Sequence, residues 1–379
     1  MAERTGLPVL DLSMAQDPEQ KATLLEQLHD ALFNVGFLYI KNHGVPSQTI
    51  SNLAALLPAL FNQPAEAKAS LTKLNSPHFL GYSGYAEETT LGEKDLREQF
   101  DLATELPVVY DPLASQTDTR RNFSKPYWHL RGPNQWPSEG YVRGFRKAFT
   151  EYHDALQELS YSFVHLVEEA FGIPVSTFDA FFPRPTSAHE GVHDEHVALR
   201  PQHRIKLVRY PPNPCNDTQQ GVGAHKDSSG WLTFLYQVGK EEGLEVLDAS
   251  GNWIAAPPVD DTFVVNFGNA FEAATEGAVK ATVHRVKAPG PMSNPRYSIP
   301  FFQGLPLDLT VSEIRSYIPG TVRNLRQDRQ QTTSNGDVSA FLDPRWDSLG
   351  ESQLRKWIRS HEDVGRKFYG DITVAYYLQ

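Results

Sequence analysis

Seven short segments in the second half of the chain predict β-strands. They are rich in Val, Ile, Thr and aromatic residues, and Gly, Pro, Asn or Asp separates most of them. The segments are residues 205–210, 231–237, 244–247, 253–255, 262–267, 282–286 and 297–302. Many short strands divided by turn residues are typical of a β-sandwich or a β-barrel. We therefore expect this half of the chain to form a sandwich or a barrel.

Predicted helices flank this β-rich half. Apolar residues recur at helical spacing in residues 20–34, 48–61, 145–171 and 351–368, and short strands are expected at 7–12 and 37–40. Residues 78–140 show no sustained period and predict long connections with short strands. The predicted fold class is mainly β with flanking helices (α+β). We expect one structural unit with an N-terminal mixed region at 1–180, a core at 181–310 and a C-terminal helical segment at 311–379 that completes a pocket.

Charge and composition exclude several classes of partner. The 379 residues carry a formal net charge of -11, from 35 basic and 46 acidic residues, which argues against a broad nucleic-acid-binding face. No apolar stretch approaches the roughly 18 residues of a membrane-spanning helix, and the N-terminus does not resemble a signal peptide. Cys215 is the single cysteine, which fits a reducing compartment. We therefore expect a cytoplasmic protein that binds neither nucleic acid nor a membrane.

His225 and Asp227 are the centre of the candidate site. They lie two residues apart on a segment expected to be extended, where side chains i and i+2 point to one face. Two ligands from one segment need a third from elsewhere, and His284 in a later predicted strand is the candidate. Two imidazoles and one carboxylate on one face of an octahedral metal are the ligand set of non-haem Fe(II) oxygenases. The pattern therefore predicts an iron centre with positions left open for other ligands.

Arg296 and Ser298 form a second pair on an extended segment, so their side chains are also expected to point the same way. A guanidinium group binds a carboxylate through two hydrogen bonds, and a hydroxyl group adds a third. Inside a narrow barrel, such a pair would select a dicarboxylate such as 2-oxoglutarate.

The order His-x-Asp, then His, then Arg-x-Ser resembles the isopenicillin N synthase-like family of Fe(II)/2-oxoglutarate oxygenases. The likeness covers most of the chain, because residues 7–12, 36–45 and 61–71 look like that family's N-terminal region. The resemblance implies a double-stranded β-helix (jelly-roll) core over about residues 200–305. It also places Tyr210 on the 2-oxoglutarate tail, beside Arg296 and Ser298.

The resemblance further implies the reaction. Fe(II), 2-oxoglutarate and O2 would oxidise a C–H bond of a small organic molecule by hydroxylation, desaturation or ring formation, releasing succinate and CO2, with ascorbate as a stimulant. His225, Asp227 and His284 would be the catalytic metal ligands. A substrate of specialised or nucleobase metabolism is the expectation, and the chain is expected to be a monomer or else a homodimer.

Two alternative functions stay open. Isopenicillin N synthase itself keeps Arg-x-Ser without using 2-oxoglutarate, so Arg296 and Ser298 would then bind a substrate carboxylate in a 2-oxoglutarate-independent oxidase. His189, Glu190 and His193 match the His-Glu-x-x-His signature of zinc peptidases, which requires a helix. A glycine inside this motif disfavours a helix, and we expect a polar loop or turn there.

Two further features have a structural interpretation. His361 and Asp363 form a second His-x-Asp pair, but they fall in a predicted helix, where residues i and i+2 diverge. We expect them on a solvated face. Trp231 and Phe302 lie close enough in sequence to the candidate ligands to line the pocket, although both can equally be core aromatics.

Overall fold

Two largely antiparallel β-sheets face each other and form the core of the protein. The computed structural model describes residues 6–90, 92–114, 121–183, 199–213, 220–227, 230–326 and 344–379. The fourteen strands of these residues are β1 (Val9–Asp11), β2 (Phe37–Lys41), β3 (Gly81–Ser83), β4 (Thr89–Thr90), β5 (Glu93–Lys94), β6 (Glu98–Ala103), β7 (Arg204–Tyr210), β8 (Gln220–His225), β9 (Leu232–Val238), β10 (Leu244–Leu247), β11 (Trp253–Ala255), β12 (Thr262–Phe267), β13 (His284–Lys287) and β14 (Arg296–Phe302).

The larger sheet has eight strands in the order β1-β2-β12-β9-β14-β7-β6-β3, and the smaller has four in the order β11-β10-β13-β8. Only the β1–β2 pairing is parallel among these described strands. Strand order is far from chain order, as in a jelly roll, and the predicted fold class is confirmed. The strands β4 and β5 form a separate hairpin against β8.

Eleven α-helices lie around the sheets in the described residues. They are α1 (Pro18–Asp30), α2 (Ser47–Ala54), α3 (Leu57–Phe61), α4 (Ala65–Ser70), α5 (Phe145–Ala170), α6 (Asn269–Ala274), α7 (Val311–Ser316), α8 (Gly320–Arg323), α9 (Leu349–Ser360), α10 (Glu362–Tyr369) and α11 (Asp371–Tyr377). Short 3-10 turns occupy Leu12–Gln16, Lys73–Asn75, Pro126–Leu130, Asp179–Phe181, Asn324–Arg326 and Pro344–Trp346, and a π-turn, Ala31–Val35, extends α1. No helix of this described part is long and apolar enough to cross a membrane.

Side-chain alternation divides the apolar residues of the larger sheet between two cores. Along β9, Leu232 and Phe234 belong to the core beneath helices α1 and α5, whereas Leu235 packs in the core between the two sheets. Tyr210 and Val246 are among the residues of the inter-sheet core. Alternation along each strand therefore identifies the residues whose side chains face the space between the sheets.

A third core is formed by the C-terminal helices. Trp357 and Ile358 of α9 pack with Trp128 and with Val374 of α11. The predicted single helix over 351–368 is wrong in one respect, because the chain leaves helical geometry at His361, where φ is -142° and ψ is 68°. The predicted helix 48–61 is likewise split in two, and Pro58 lies in the first turn of its second part. Proline lacks the amide hydrogen that a continuous helix needs at that position.

Candidate functional site

The three predicted metal ligands lie together at one end of the smaller sheet. His225 is the last residue of β8 and pairs with His284, the first residue of β13. Asp227 follows two residues after His225, and its Oδ1 lies 3.8 Å from Nε2 of each histidine. One ligand atom from each residue lies within 4.8 Å of the others. This spacing suits three ligands around one metal ion, because Zn–N and similar metal–ligand bonds are about 2 Å long.

Backbone carbonyl groups orient both imidazole rings. His225 Nδ1 lies 2.8 Å from the carbonyl oxygen of Gly223, and His284 Nδ1 lies 3.1 Å from that of Thr282. An Nδ1–H donor in each ring leaves Nε2 with its lone pair toward Asp227, which is the arrangement of metal-ligating histidines. The ring of Phe37 packs against His284 at 5.2 Å between centroids. The rings are therefore held before any metal binds.

The carboxylate of Asp227 is held through one oxygen only. Its Oδ2 accepts hydrogen bonds from Thr233 Oγ1 at 2.7 Å and from Asn266 Nδ2 at 2.6 Å. Thr233 and Asn266 are opposite each other on the adjacent strands β9 and β12, so the larger sheet supplies both donors. The backbone amide of Asn269 donates to the Asp227 carbonyl oxygen at 2.8 Å. Oδ1 is left facing the two imidazoles.

The electrostatics keep these groups in the protonation states that bind a metal. Burial would raise the pKa of Asp227, but the two imidazoles and the hydrogen bonds from Asn266 and Thr233 hold the pKa below its ordinary value. Burial, together with the neighbouring His284, lowers the pKa of His225 to about 3. A deprotonated carboxylate and a neutral imidazole are the forms that coordinate a metal ion.

Arg296, Ser298 and Tyr210 lie together on the inner face of the larger sheet. Arg296 pairs with Tyr210 across β14 and β7, and its guanidinium carbon lies 5.0 Å from the centre of the tyrosine ring. Ser298 lies two residues along the same face of β14, opposite Gln237 of β9. All three residues predicted for the carboxylate site are nearly inaccessible, with exposed fractions of 1% for Arg296 and 3% for the other two.

The Arg296 guanidinium group has unused hydrogen-bond donors. Its Nη2 donates to Gln237 Oε1 at 2.8 Å, but Nε and Nη1 are buried and have no hydrogen-bond partner among the described residues. Burial lowers the pKa of Arg296. Leaving a buried charge without partners is costly, so this geometry favours a carboxylate that binds Nε and Nη1 together. The residues present therefore fit the tail of a 2-oxo diacid.

One strand connects the two parts of the site. Thr233, Leu235 and Gln237 alternate along β9 and share the face toward the smaller sheet, and Thr233 holds Asp227 whereas Gln237 holds Arg296. Four residues of a strand span about 13 Å. The predicted metal centre and the predicted carboxylate site therefore lie near opposite ends of the inner face of β9.

A cavity opens beside Asp227 on the side away from Arg296. It encloses about 500 Å³, including the part open to solvent. Its wall includes Arg204 and Lys206 of β7, Phe302 of β14, and Lys356 and Trp357 of α9, with Asp101, Gln202, Gly230, Gln303, Gly304 and Gln353 completing the lining. Phe302 thus lines the cavity as one interpretation predicted, whereas Trp231 is a core residue stacked on Phe271 at 4.1 Å.

The two other histidine motifs of the sequence are not part of the described metal site. His189, Glu190 and His193 lie outside the described residues. The prediction that His361 lies on a solvated face is wrong, because its Nε2 is 3.1 Å from both Lys73 Nζ and Glu88 Oε1. The ring contacts these charges at the residue where the chain passes from α9 to α10.

Sequence reasoning missed the outer hydrogen-bond partners and the charged cavity wall. Thr233, Asn266 and Gln237 looked like ordinary strand residues, and only the register shows that they reach the site. Arg204 and Lys206 alternate with Ile205 and Leu207 in β7. This alternation normally indicates that the charged residues face solvent, whereas Arg204 and Lys206 line the cavity.

Comparison with known proteins identifies the family to which the sequence is similar. Residues 7–139 match the family described as "non-haem dioxygenase in morphine synthesis N-terminal", and residues 200–304 match the "2OG-Fe(II) oxygenase superfamily". The 2-oxoglutarate-dependent dioxygenase frbJ of Dothideomycetidae sp. is 38% identical over 371 residues, which are 96% of this chain and 92% of that protein. A 2-oxoglutarate-dependent dioxygenase of Gibberella zeae is 30% identical over 383 residues, covering 97% and 92%.

Solved structures share the fold. A full-length Neurospora crassa protein in complex with alpha-KG has a TM-score of 0.64 at 23% identity, covering 84% of this chain and 91% of that chain. A 2OG-Fe(II) oxygenase family protein from Caulobacter crescentus has a TM-score of 0.66 at 21% identity, covering 93% and 99%. Because the high-coverage relatives are named 2-oxoglutarate-dependent, the 2-oxoglutarate-independent alternative is not favoured. The chain belongs to the 2OG-Fe(II) oxygenase superfamily and is a dioxygenase that uses Fe(II) and 2-oxoglutarate to oxidise a small organic molecule.

Proposed function

We propose that His225, Asp227 and His284 hold the Fe(II) ion of this dioxygenase. The observation that carries the proposal is the convergence of the two Nε2 atoms and Asp227 Oδ1 within 4.8 Å, with every other polar atom of these side chains engaged by the protein. Three protein ligands on one side of an octahedral ion leave positions for a bidentate 2-oxo acid and for O2.

We propose that Arg296, Ser298 and Tyr210 bind the far carboxylate of 2-oxoglutarate. The buried and unpartnered Nε and Nη1 atoms of Arg296 support this assignment, as does the distance of about four strand residues from the metal ligands. Gln237 positions the guanidinium group through its 2.8 Å hydrogen bond. A carboxylate at this point would supply the negative charge that the buried arginine lacks.

Fe(II) with 2-oxoglutarate and O2 supplies the oxidant for a C–H bond of the substrate, and succinate and CO2 are released. The chain's own residues bind and orient. Asp227 and the two histidines would fix the position of the reacting centre, and Phe302 and Trp357 supply apolar surface to the cavity beside it. The primary substrate would lie in this cavity, between Asp227 and helix α9.

Purified enzyme tests these assignments. With Fe(II), ascorbate and 2-oxoglutarate it should form succinate, and Asp227→Asn should abolish both succinate formation and tight Fe(II) binding. Asp363→Asn is the matched control, because it changes the exposed carboxylate of the second His-x-Asp pair. Equal Fe(II) affinity in wild type and Asp227→Asn would refute the ligand assignment, whether or not the variant formed succinate.

We further propose a monomeric, cytoplasmic enzyme of specialised metabolism, organised as an N-terminal region (1–180), a core (181–310) and a C-terminal segment (311–379). Several relatives from fungi are named 2-oxoglutarate-dependent dioxygenases, which supports a role in specialised metabolism. Sedimentation equilibrium at micromolar concentration should give the mass of one chain, 42.5 kDa. A mass near twice that value would replace the monomer with the homodimer.

A further inference from the structure

Four cationic side chains surround the ring of Trp357 at the wall of the cavity. The ring centre lies 5.5 Å from Lys73 Nζ, 5.5 Å from Lys206 Nζ, 5.0 Å from Lys356 Nζ and 4.6 Å from the guanidinium carbon of Arg204. Trp357 is almost fully buried and lines the same cavity as Asp227. Positive charge is therefore concentrated on one wall of the space that adjoins the metal ligands.

Two of these cations are balanced by carboxylates. Lys73 Nζ lies 2.7 Å from Asp101 Oδ2 and 3.1 Å from Glu88 Oε1. Lys206 Nζ lies 3.6 Å from Asp101 Oδ1 and 3.9 Å from Glu88 Oε2. Asp101 is fully buried, and it also accepts a hydrogen bond from Gln99 at 2.8 Å. Asp101 is thus already committed to the protein's own cations, although it lines the cavity.

The other two cations, Arg204 and Lys356, form no ion pair with the described residues. Arg204 Nη2 donates to the carbonyl oxygens of His78 at 2.8 Å and Leu130 at 3.3 Å, so its donors are used but its charge is not neutralised. Lys356 has neither a hydrogen bond nor an ion pair in the described part of the chain, and its Nζ lies 5.0 Å from the centre of the Trp357 ring. Burial lowers the pKa of Lys356. An ammonium group held in this way gains from any anion that enters the cavity.

The carboxylate of Asp227 does not neutralise this wall once iron is present. A divalent ion bound by a single carboxylate keeps a net positive charge. A 2-oxoglutarate bound as proposed would place one carboxylate at the metal and the other at Arg296, so neither would neutralise Arg204 or Lys356. The excess charge at Arg204 and Lys356 therefore remains for the primary substrate.

We infer that the primary substrate carries an anionic oxygen group, a carboxylate or a phosphate, that binds Lys356 beside Trp357. The inference rests on the proposed function, because it takes the cavity next to Asp227 as the substrate site. Lys356 supplies three donors to the anion, and Arg204 adds positive potential from a fixed position. The anion would fix the substrate at α9 and direct the opposite part of the molecule toward the metal ligands.

Matched pairs of anionic and neutral compounds test the inference by binding alone. Calorimetry under nitrogen, with enzyme loaded with Fe(II) and 2-oxoglutarate, would use benzoate with benzamide, indole-3-acetate with indole-3-acetamide, L-leucine with L-leucinamide, and phenyl phosphate with phenol. At least one anion should bind at least tenfold more tightly than its neutral partner. The pair that shows the preference distinguishes a carboxylate from a phosphate. If no anion binds more tightly than its partner, the inference is overturned.

Three variants assign the preference to Lys356. Lys356→Met should abolish it, and Lys356→Arg should retain most of it. Arg359→Met removes a cation from the exposed face of the same helix and should leave the preference unchanged. A preference that survives Lys356→Met would overturn the inference.

A stability measurement excludes a purely structural role. Lys356→Met breaks no hydrogen bond or ion pair of the described residues and removes the cost of a buried charge, so it should unfold at the same temperature as the wild type or higher. A melting temperature several degrees lower would show that Lys356 is a structural residue and would overturn the inference. Failure here is distinct from failure of the proposed function, because the proposed function is tested separately by the Fe(II) affinity of Asp227→Asn.

Discussion

The hydrogen bonds that hold Asp227 Oδ2 should determine much of the metal affinity. Asn266→Leu and Thr233→Val keep side chains of similar size but remove, respectively, the 2.6 Å and the 2.7 Å bond to this oxygen. Both donors are buried, with exposed fractions of 3% each. Water therefore cannot readily replace a lost donor, and Asp227 would be free to turn its Oδ1 away from the imidazoles.

The magnitude follows from the charge on the acceptor. A hydrogen bond to an ionised group contributes about 1.5–3 kcal/mol, which corresponds to roughly 10- to 150-fold in an equilibrium constant. Outer partners of metal ligands typically change metal affinity about 10- to 100-fold. We expect each single variant to bind Fe(II) about 10- to 100-fold more weakly. The double variant should lose less than the product of the two, because both bonds restrain the same oxygen.

Competition with a chelator of known affinity, under nitrogen, measures these constants. Lys226→Met is the matched control: Lys226 lies between two ligands in sequence, but its side chain pairs with Glu272 at 2.9 Å on the outside. Circular dichroism and melting temperature show whether each variant is folded. If folded Asn266→Leu and Thr233→Val both bind Fe(II) within threefold of the wild type, the outer hydrogen bonds do not position Asp227.

Three other outcomes follow from the structure. Arg296→Leu should weaken 2-oxoglutarate binding at least about 100-fold (~3 kcal/mol) without lowering the melting temperature of the ligand-free protein, and a retained thermal shift with 2-oxoglutarate would contradict the carboxylate assignment. His203 accepts from Gly304 N at 3.0 Å and is fully buried, which holds its pKa well below 6.5. The unfolded chain therefore binds the extra proton below about pH 6.5, and the free energy of unfolding falls as pH drops, by at most about 1.4 kcal/mol per pH unit. His203→Gln should flatten the pH dependence of the urea midpoint below about pH 6.5, and an unchanged slope would disprove this contribution. Lys226→Met should cost less than about 1 kcal/mol in urea unfolding, since both partners of its ion pair remain partly exposed, and a larger loss would mean that the pair is structural.

The sequence was sufficient to predict several strands of the core and which candidate site residues lie close together. Strands β10, β11 and β12 have the predicted bounds, because their apolar residues and flanking turns define both ends. His225, Asp227 and His284 come together as expected, and so do Arg296, Ser298 and Tyr210. Alternation along β14 gives Arg296 and Ser298 the same direction, and strand pairing brings His284 to His225 and Tyr210 to Arg296.

Strand β6 shows why other features were not predictable. Its six residues, Glu98–Ala103, are all buried, although Glu98, Gln99 and Asp101 are polar. Their burial depends on Lys73, Lys206 and Arg209, which reach them from distant parts of the chain. No local pattern contains that information, so a strand rich in buried charge looks like a connection. The charged cavity wall was missed for the same physical reason.

Strand β9 has a consequence for chain-length selectivity. Thr233 holds Asp227 and Gln237 holds Arg296, so the spacing of residues along β9 sets the distance between the proposed metal site and the proposed carboxylate site. Inward-facing positions on a strand recur about every 6.8 Å, whereas a diacid lengthens by about 1.5 Å per carbon–carbon bond. A diacid one carbon shorter or longer than the fitting one therefore cannot be accommodated by a register shift. The selectivity for the length of the diacid would therefore depend on the backbone spacing of β9. Substitutions in the substrate cavity should leave this selectivity unchanged.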